Sequence, residues 1–180
     1  MTSPNHIIAL IKRLARLDSS EVWETDLNPA QIAALEYLAN ANSFSRAPSH
    51  VAEYLGTTRG TMSQTLKALT RKGYIVEHRS DADRRSISHD LTDAGKDLVA
   101  RHGSLAKIIG ALPSDQKTTV KSTLSDILTQ QLAANGGRAF GICKSCKYHR
   151  TTGNQAYCSL LSVQLSVEET ELICHEQVAA

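Results

Sequence analysis

Aromatic side chains are scarce: two Phe, five Tyr and one Trp among 180 residues. Leu, Ile, Val and Ala must therefore fill the interior, which favours helices. Long apolar runs are missing as well, and no stretch approaches the ~18 uninterrupted apolar residues of a membrane-spanning helix. The opening MTSPNHIIALIKRLARL is interrupted by Lys12, Arg13 and Arg16, with no small-residue cleavage site behind it, so it does not read as a signal peptide. Cysteine is absent before Cys143. A disulfide framework would usually staple the whole of a small secreted domain, so a cytoplasmic chain with a cysteine-bearing tail is expected. A large charge of one sign is lacking too: the formal net charge is +2. That argues for no partner by itself, and attention passes to where the charge sits. With 41% hydrophobic and 21% charged residues, collagen-like, disordered and membrane-embedded classes are excluded. The length suits one medium domain, or a small domain with an appended module.

What is present is helical periodicity. Ile7, Ile8, Ile11, Leu14 and Ala15 share one face and predict an amphipathic helix over about residues 5 to 18. Asn28 as N-cap and Pro29 at the first helical position open a second, with Ile32, Leu35, Leu38 and Ala39 as its buried stripe. A third starts near Pro48, carries Val51, Ala52 and Leu55, and stops at Gly56. Gly56, Thr57 and Thr58 then read as the tight turn of a helix-turn-helix. Met62, Leu66 and Leu69 form the core stripe of the next helix, which places Arg59, Ser63, Gln64, Lys67 and Arg71 on the opposite arc. That arc holds donors and no acid.

Gly73 ends this helix, and 74–79 and 86–91 read as two strands joined by the polar turn SDADRR. Seven basic residues (Arg59, Lys67, Arg71, Lys72, Arg79, Arg84, Arg85) face three acidic ones (Glu77, Asp81, Asp83) between Arg59 and Arg85, a local +4. Thr92 caps a fifth helix expected to run through Leu98, Val99, Leu105, Ile108 and Ile109. Pro113 and Ser114 open a sixth through Val120, Leu124, Ile127, Leu128 and Leu132. Gly136 and Gly137 break the pattern. The expected architecture is mostly α with a small β-hairpin wing: a winged helix-turn-helix over 1–135, flanked by long helices, followed by a cysteine-containing segment over 136–180.

A helix with donors along one side fits the major groove of duplex DNA, where Arg and Lys reach guanine edges and Gln pairs with adenine. Ser and Thr hydroxyls reach phosphates, and the N-terminus at Thr57, Thr58 and Arg59 offers free N–H groups to them. Such an arc alone is equally what a solvated amphipathic helix shows. The adjoining hairpin tipped with arginines adds the order of elements in a winged helix.

In GTTRGTMSQTLKALTRKGYI (Gly56 to Ile75) and SDADRRSISHDLTDAGKDL (Ser80 to Leu98) the sequence resembles the MarR family of transcriptional regulators. The resemblance spans about residues 5 to 135. Its most specific part is D-x-R followed by L-T-x-x-G, occupied by Asp83, Arg85, Leu91, Thr92 and Gly95. It implies that Arg85, beside Arg84 at the wing tip, enters the minor groove while Asp83 holds its guanidinium. A narrow minor groove concentrates negative potential and draws arginine in. The resemblance further implies a homodimer joined through its first and last helices, and hence a pseudo-palindromic duplex site.

The tail, Cys143-x2-Cys146-x11-Cys158-x15-Cys174, supplies four thiolates, a full tetrahedral set. Zinc suits it. An iron–sulfur cluster takes the same ligands and would add sensitivity to oxidants. His149 and His175 stand close enough in sequence to replace a cysteine, though surface or supporting roles are commoner. The tail has so little apolar material that a metal is expected to cross-link it. It departs from the usual MarR plan and puts in doubt that family's common sensing of small aromatic ligands.

The sequence therefore points to a dimeric, sequence-specific DNA-binding regulator, a repressor, whose affinity answers to the cysteine site. A metal or redox enzyme is the first alternative. Against it, the chain has no Gly-rich phosphate loop, H-E-x-x-H or nucleophile elbow, and four thiolates leave zinc no open position for water. A winged helix that binds another protein is the second, and the acid-free arc counts against it.

Overall fold

The structure, a computed structural model, describes residues 3–20, 26–79, 87–101, 104–153 and 155–179. Its centre is helix α2 (Pro29–Asn40). Asn28 accepts from the Gln31 N–H at 2.9 Å, and the Gln31 side chain accepts in return from the Asn28 N–H at 3.2 Å, so two unpaired helix-end donors are satisfied together. The expected stripe is buried, and Ala34 and Tyr37 join it. Helix α1 (Pro4–Ser20) precedes it. Helices α3 (Pro48–Tyr54) and α4 (Arg59–Arg71) follow, joined through Gly56 at φ 61°, where a left-handed residue turns the chain at no steric cost. Val51, Ala52, Met62, Leu66, Leu69 and Ile75 close one core around α2. Each fully buried leucine contributes roughly 2 kcal/mol, so α4 is held by its inner face.

Strands β1 (Ile75–Arg79) and β2 (Ile87–Leu91) pair antiparallel, with Ile75 opposite Leu91 and Arg79 opposite Ile87. The Thr92 hydroxyl donates to the Gly73 carbonyl at 2.7 Å and accepts from the Gly95 N–H at 3.2 Å, tying the wing's root to helix α5 (Asp93–Arg101). The expected single fifth helix is described as two segments, α5 and α6 (Ser104–Gly110), with 102–103 outside the described residues.

His89 on β2 is buried, and its burial pushes the imidazole below the ordinary histidine range, with Glu77 acting in the opposite sense. The unfolded chain then binds the proton more readily than the folded one. The stability this neutral ring supports is complete above about pH 6.5 and is lost as pH falls below it. Urea midpoints measured from pH 7.5 to 5.5 are expected to fall less in His89→Gln than in wild type; parallel curves would exclude His89 as the cause.

Helix α7 (Ser114–Asn135) ends at Gly136 with φ 64° and buries none of its residues. Val120, Leu124, Ile127 and Leu128 on α7, like Ile7, Ile8, Ile11 and Leu14 on α1, are all at least 40% exposed in the single chain. Among the described residues, the apolar side of each helix thus stays largely uncovered by the rest of the chain.

The tail, whose sequence shows no clear helical period, forms short strands: β3 (Gly141–Ile142), β4 (His149–Thr152), β5 (Gln155–Cys158), β6 (Val163–Leu165) and β7 (Ile173–Cys174), with the turn of helix α8 (Val167–Thr170). β4, β5 and β6 make an antiparallel sheet, and β3 pairs with β7. Cys143, Cys158, Leu165 and Cys174 cluster at its centre, with Tyr148, Val163 and Phe44 packed on them. Sulfur thus supplies much of the apolar filling that aliphatic side chains would otherwise provide.

Candidate nucleic-acid interface

Thr58 caps α4, its hydroxyl accepting from the Thr61 N–H at 3.2 Å. Arg59, Gln64, Lys67 and Arg71 are exposed along the helix and Ser63 is half-buried. The inner stripe of Met62, Leu66 and Leu69 is at most 1% exposed, so the helix cannot roll without unburying it. Asp83, Arg84 and Arg85 lie outside the described residues.

Three features escaped sequence reasoning. Gly60, in the first turn of α4, has open space where a side chain would project, so the backbone there is accessible to a large anion. Glu77 of β1 lines a shallow groove with Gln64, Lys67, Thr70 and Arg71, which brings one carboxylate to the edge of the arc; Arg79 Nε donates to it at 2.9 Å and offsets its charge. Lys72 turns away, its Nζ lying 3.2 Å from Asp26 Oδ2. A glycine where alanine would serve the helix better was the legible signal for the first. The other two depend on contacts distant in the chain.

All four cysteines are buried and no disulfide joins them. Cys143 and Cys146 flank a 3-10 turn in which the Cys146 N–H donates to the Cys143 carbonyl at 3.0 Å, and the Val178 N–H reaches Cys146 Sγ at 3.5 Å. Burial pushes the Cys143 thiol up to about 11, and the neighbouring Cys174, Cys158 and Cys146 push it the same way. Four thiolates this close are mutually unfavourable without a cation among them. Among the described residues, no three His, Cys, Asp or Glu side chains already form a group that could hold a metal ion. The donor types fit a soft cation, but the thiols would have to turn onto it. His149 Nε2 is buried without a hydrogen-bond partner. His175 is engaged elsewhere, its Nε2 lying 3.2 Å from Glu53 Oε2.

A cleft of about 550 Å³ lies beside α2 and α3, lined by Tyr37, Tyr54, Leu55, Leu105, Ile109 and, from the tail, Ile173. The cysteine segment thus forms part of its wall.

A three-helix core presenting α4 beside a two-stranded wing defines a winged helix-turn-helix. Residues 25–86 match the MarR family model. The transcriptional repressor MprA of Escherichia coli K12 is 26% identical over 109 residues, 58% of this chain. The chain spans 62% of that relative's length. Among solved structures, a MarR transcriptional regulator from Methanosarcina mazei superimposes with TM-score 0.58 at 19% identity, over 72% of this chain and 96% of its own. Streptococcus pneumoniae FabT in complex with DNA gives 0.57 at 22%, over 72% and 94%. At such identities the likeness establishes the fold, which is of the MarR winged-helix type. No helix among the described residues is long and apolar enough to cross a membrane.

Proposed function

We propose that the chain is a MarR-family transcriptional regulator: a cytoplasmic homodimer that represses by binding a pseudo-palindromic duplex. It is a regulator, not an enzyme. The observation that carries this reading is α4. Its donors Arg59, Gln64, Lys67 and Arg71 stand exposed on one arc while its opposite stripe is locked in the core. Such a rigid, acid-free rod suits a polyanionic groove. Support for the dimer comes from the exposed apolar sides of α1 and α7, which together would form a large water-facing apolar surface in a monomer.

Residues 1–135 serve binding and dimerisation, and 136–180 serve as the input. Cys143, Cys146, Cys158 and Cys174 take zinc in this reading, with an iron–sulfur cluster as the alternative; iron and sulfide analysis of protein purified without oxygen separates the two. Thr58, Ser63 and Gly60 contact phosphate, Gln64 reads bases, and Arg85, oriented by Asp83 and assisted by Arg84, enters the minor groove. Gel-shift titration against a pool of duplexes tests the assignment. Arg85→Ala is expected to weaken binding to every sequence by roughly tenfold or more, whereas Gln64→Ala alters the preference among sequences. Equal affinity of wild type and Arg85→Ala removes the wing assignment. Failure of the wild type to bind any duplex in dilute buffer removes the function.

A further inference from the structure

The strand that carries Cys174 also grips the helix-turn-helix. Its neighbour Ile173 forms a parallel bridge with Ala41, and the Ile173 carbonyl accepts from the Asn42 N–H at 2.9 Å. On its other side the His175 N–H donates to Ser45 Oγ at 2.8 Å. The His175 ring stacks on His50 of α3 at 3.7 Å between centroids, and its Nε2 meets Glu53. A second attachment joins Ser43 to Glu169 of α8.

The segment so gripped is a junction. Ser45 is fully buried; its hydroxyl donates to Asn42 Oδ1 at 2.6 Å, and its carbonyl accepts from the Tyr37 hydroxyl of α2 at 2.7 Å. The next residue, Arg46, pairs with Asp90 of β2, and its carbonyl accepts from the His89 N–H at 3.2 Å. Residues 41–46 therefore connect the tail, α2 and the wing strand through direct hydrogen bonds, and the His175 ring adds the contact with α3.

We propose that occupancy of the four-cysteine site by a thiolate-bound metal is transmitted through β7 and the Ala41–Arg46 junction to the helix-turn-helix and wing, with metal favouring the duplex-binding arrangement. The inference rests on the reading of the chain as a DNA-binding regulator. Drawing Cys174 onto an ion shared with Cys143, Cys146 and Cys158 fixes β7, and the thiol protons leave to solvent as thiolates coordinate. A fixed β7 holds Ile173 and His175 on the junction, so α3 and β2 keep one relative position. Without metal, β7 loses that tie and the junction opens more often. Typical coupling between two sites alters affinity by 5- to 150-fold, and by linkage duplex binding must tighten metal to the same degree. His175 is thus a positioning residue, acting through the junction and not on DNA.

The test uses the full chain loaded with zinc, or reconstituted with iron and sulfide if that is what it retains, before and after chelation. Two readouts run in parallel: amide hydrogen exchange at Asn42 and His89, and affinity for a duplex selected from the pool. In wild type, chelation is expected to speed exchange at both amides and to weaken the duplex complex about tenfold. His175→Ala, which removes the ring contacts with His50 and Glu53 and keeps the backbone bond to Ser45, is expected to hold metal at the wild-type stoichiometry while both responses to chelation shrink; Ser45→Ala, which removes the acceptor of that bond, should do the same. Retention of no metal by the wild type overturns the proposal. So does metal whose removal leaves exchange and affinity unchanged, or tightens the duplex complex, or a His175→Ala response equal to wild type. Metal-dependent exchange without duplex binding supports the coupling and defeats the regulator reading instead.

Discussion

Gly95→Ala is expected to lower the unfolding free energy by about 3 kcal/mol, a large overpacking effect for one methyl group. The added Cβ would sit 2.2 Å from the Tyr74 carbonyl oxygen and 3.2 Å from its carbon, both backbone atoms that cannot rotate away. Tyr74 is itself pinned, because its carbonyl accepts from the Thr92 N–H at 3.0 Å and its own N–H donates to the Leu69 carbonyl at 3.1 Å. Relief therefore requires moving the first turn of α5 off the root of the wing, at the cost of the Gly95 N–H bond to Thr92. Gly60→Ala is the control. Nothing lies within 4 Å of its added methyl, so the usual restriction of the unfolded chain should stabilise it by up to about 1 kcal/mol. Urea melts of the two variants should thus shift in opposite directions, with the Gly95→Ala thermal midpoint falling by roughly 10 °C. A Gly95→Ala protein as stable as wild type would mean that α5 and the wing root are not in this contact.

The same residue shows what sequence reading can recover. Gly95 was legible as part of L-T-x-x-G, but its reason, the close approach of a carbonyl from the far side of the wing, is a tertiary fact. Local chemistry was read well where it was self-contained. The Asn28–Pro29 start of α2, the Gly56 turn, the Thr58 cap and the Met62, Leu66, Leu69 stripe each depend on neighbours within a turn or two. The tail was not legible, because strands of two to four residues carry too few alternations to show a period, and cysteine counts both as ligand and as core. Apolar periodicity marked α1 and α7 as amphipathic without telling whether the face meets its own chain or another. Charge was legible residue by residue, but its pairing was not. Lys72 is spent on Asp26, and Glu77 arrives beside Gln64 from the neighbouring strand. The seam between β7 and residues 41–46 joins segments more than 120 positions apart, and no local signal foretells it.

Exchanging both Lys67 and Arg71 for glutamate is expected to cut duplex affinity by about 10³-fold or more and to reduce the steepness of its salt dependence. Both residues lie exposed on the outer arc of α4, opposite Leu66 and Leu69, so the fold should survive their replacement. Each cation that neutralises a phosphate releases condensed counterions and adds about 0.9 to the slope of log affinity against log salt. Loss of two contacts should therefore lower that slope by roughly 2, while the new carboxylates, with Glu77 already at the groove, add repulsion that is strongest at low salt. Filter binding or fluorescence anisotropy from 50 to 200 mM salt reads both quantities, and a thermal melt confirms that the variant is folded. The slope separates two readings of the same helix. A protein-binding winged helix would show at most weak duplex affinity with no systematic change in slope. A double variant with wild-type affinity and slope would place the phosphate contacts away from this arc, and α4 would then be an ordinary solvated face.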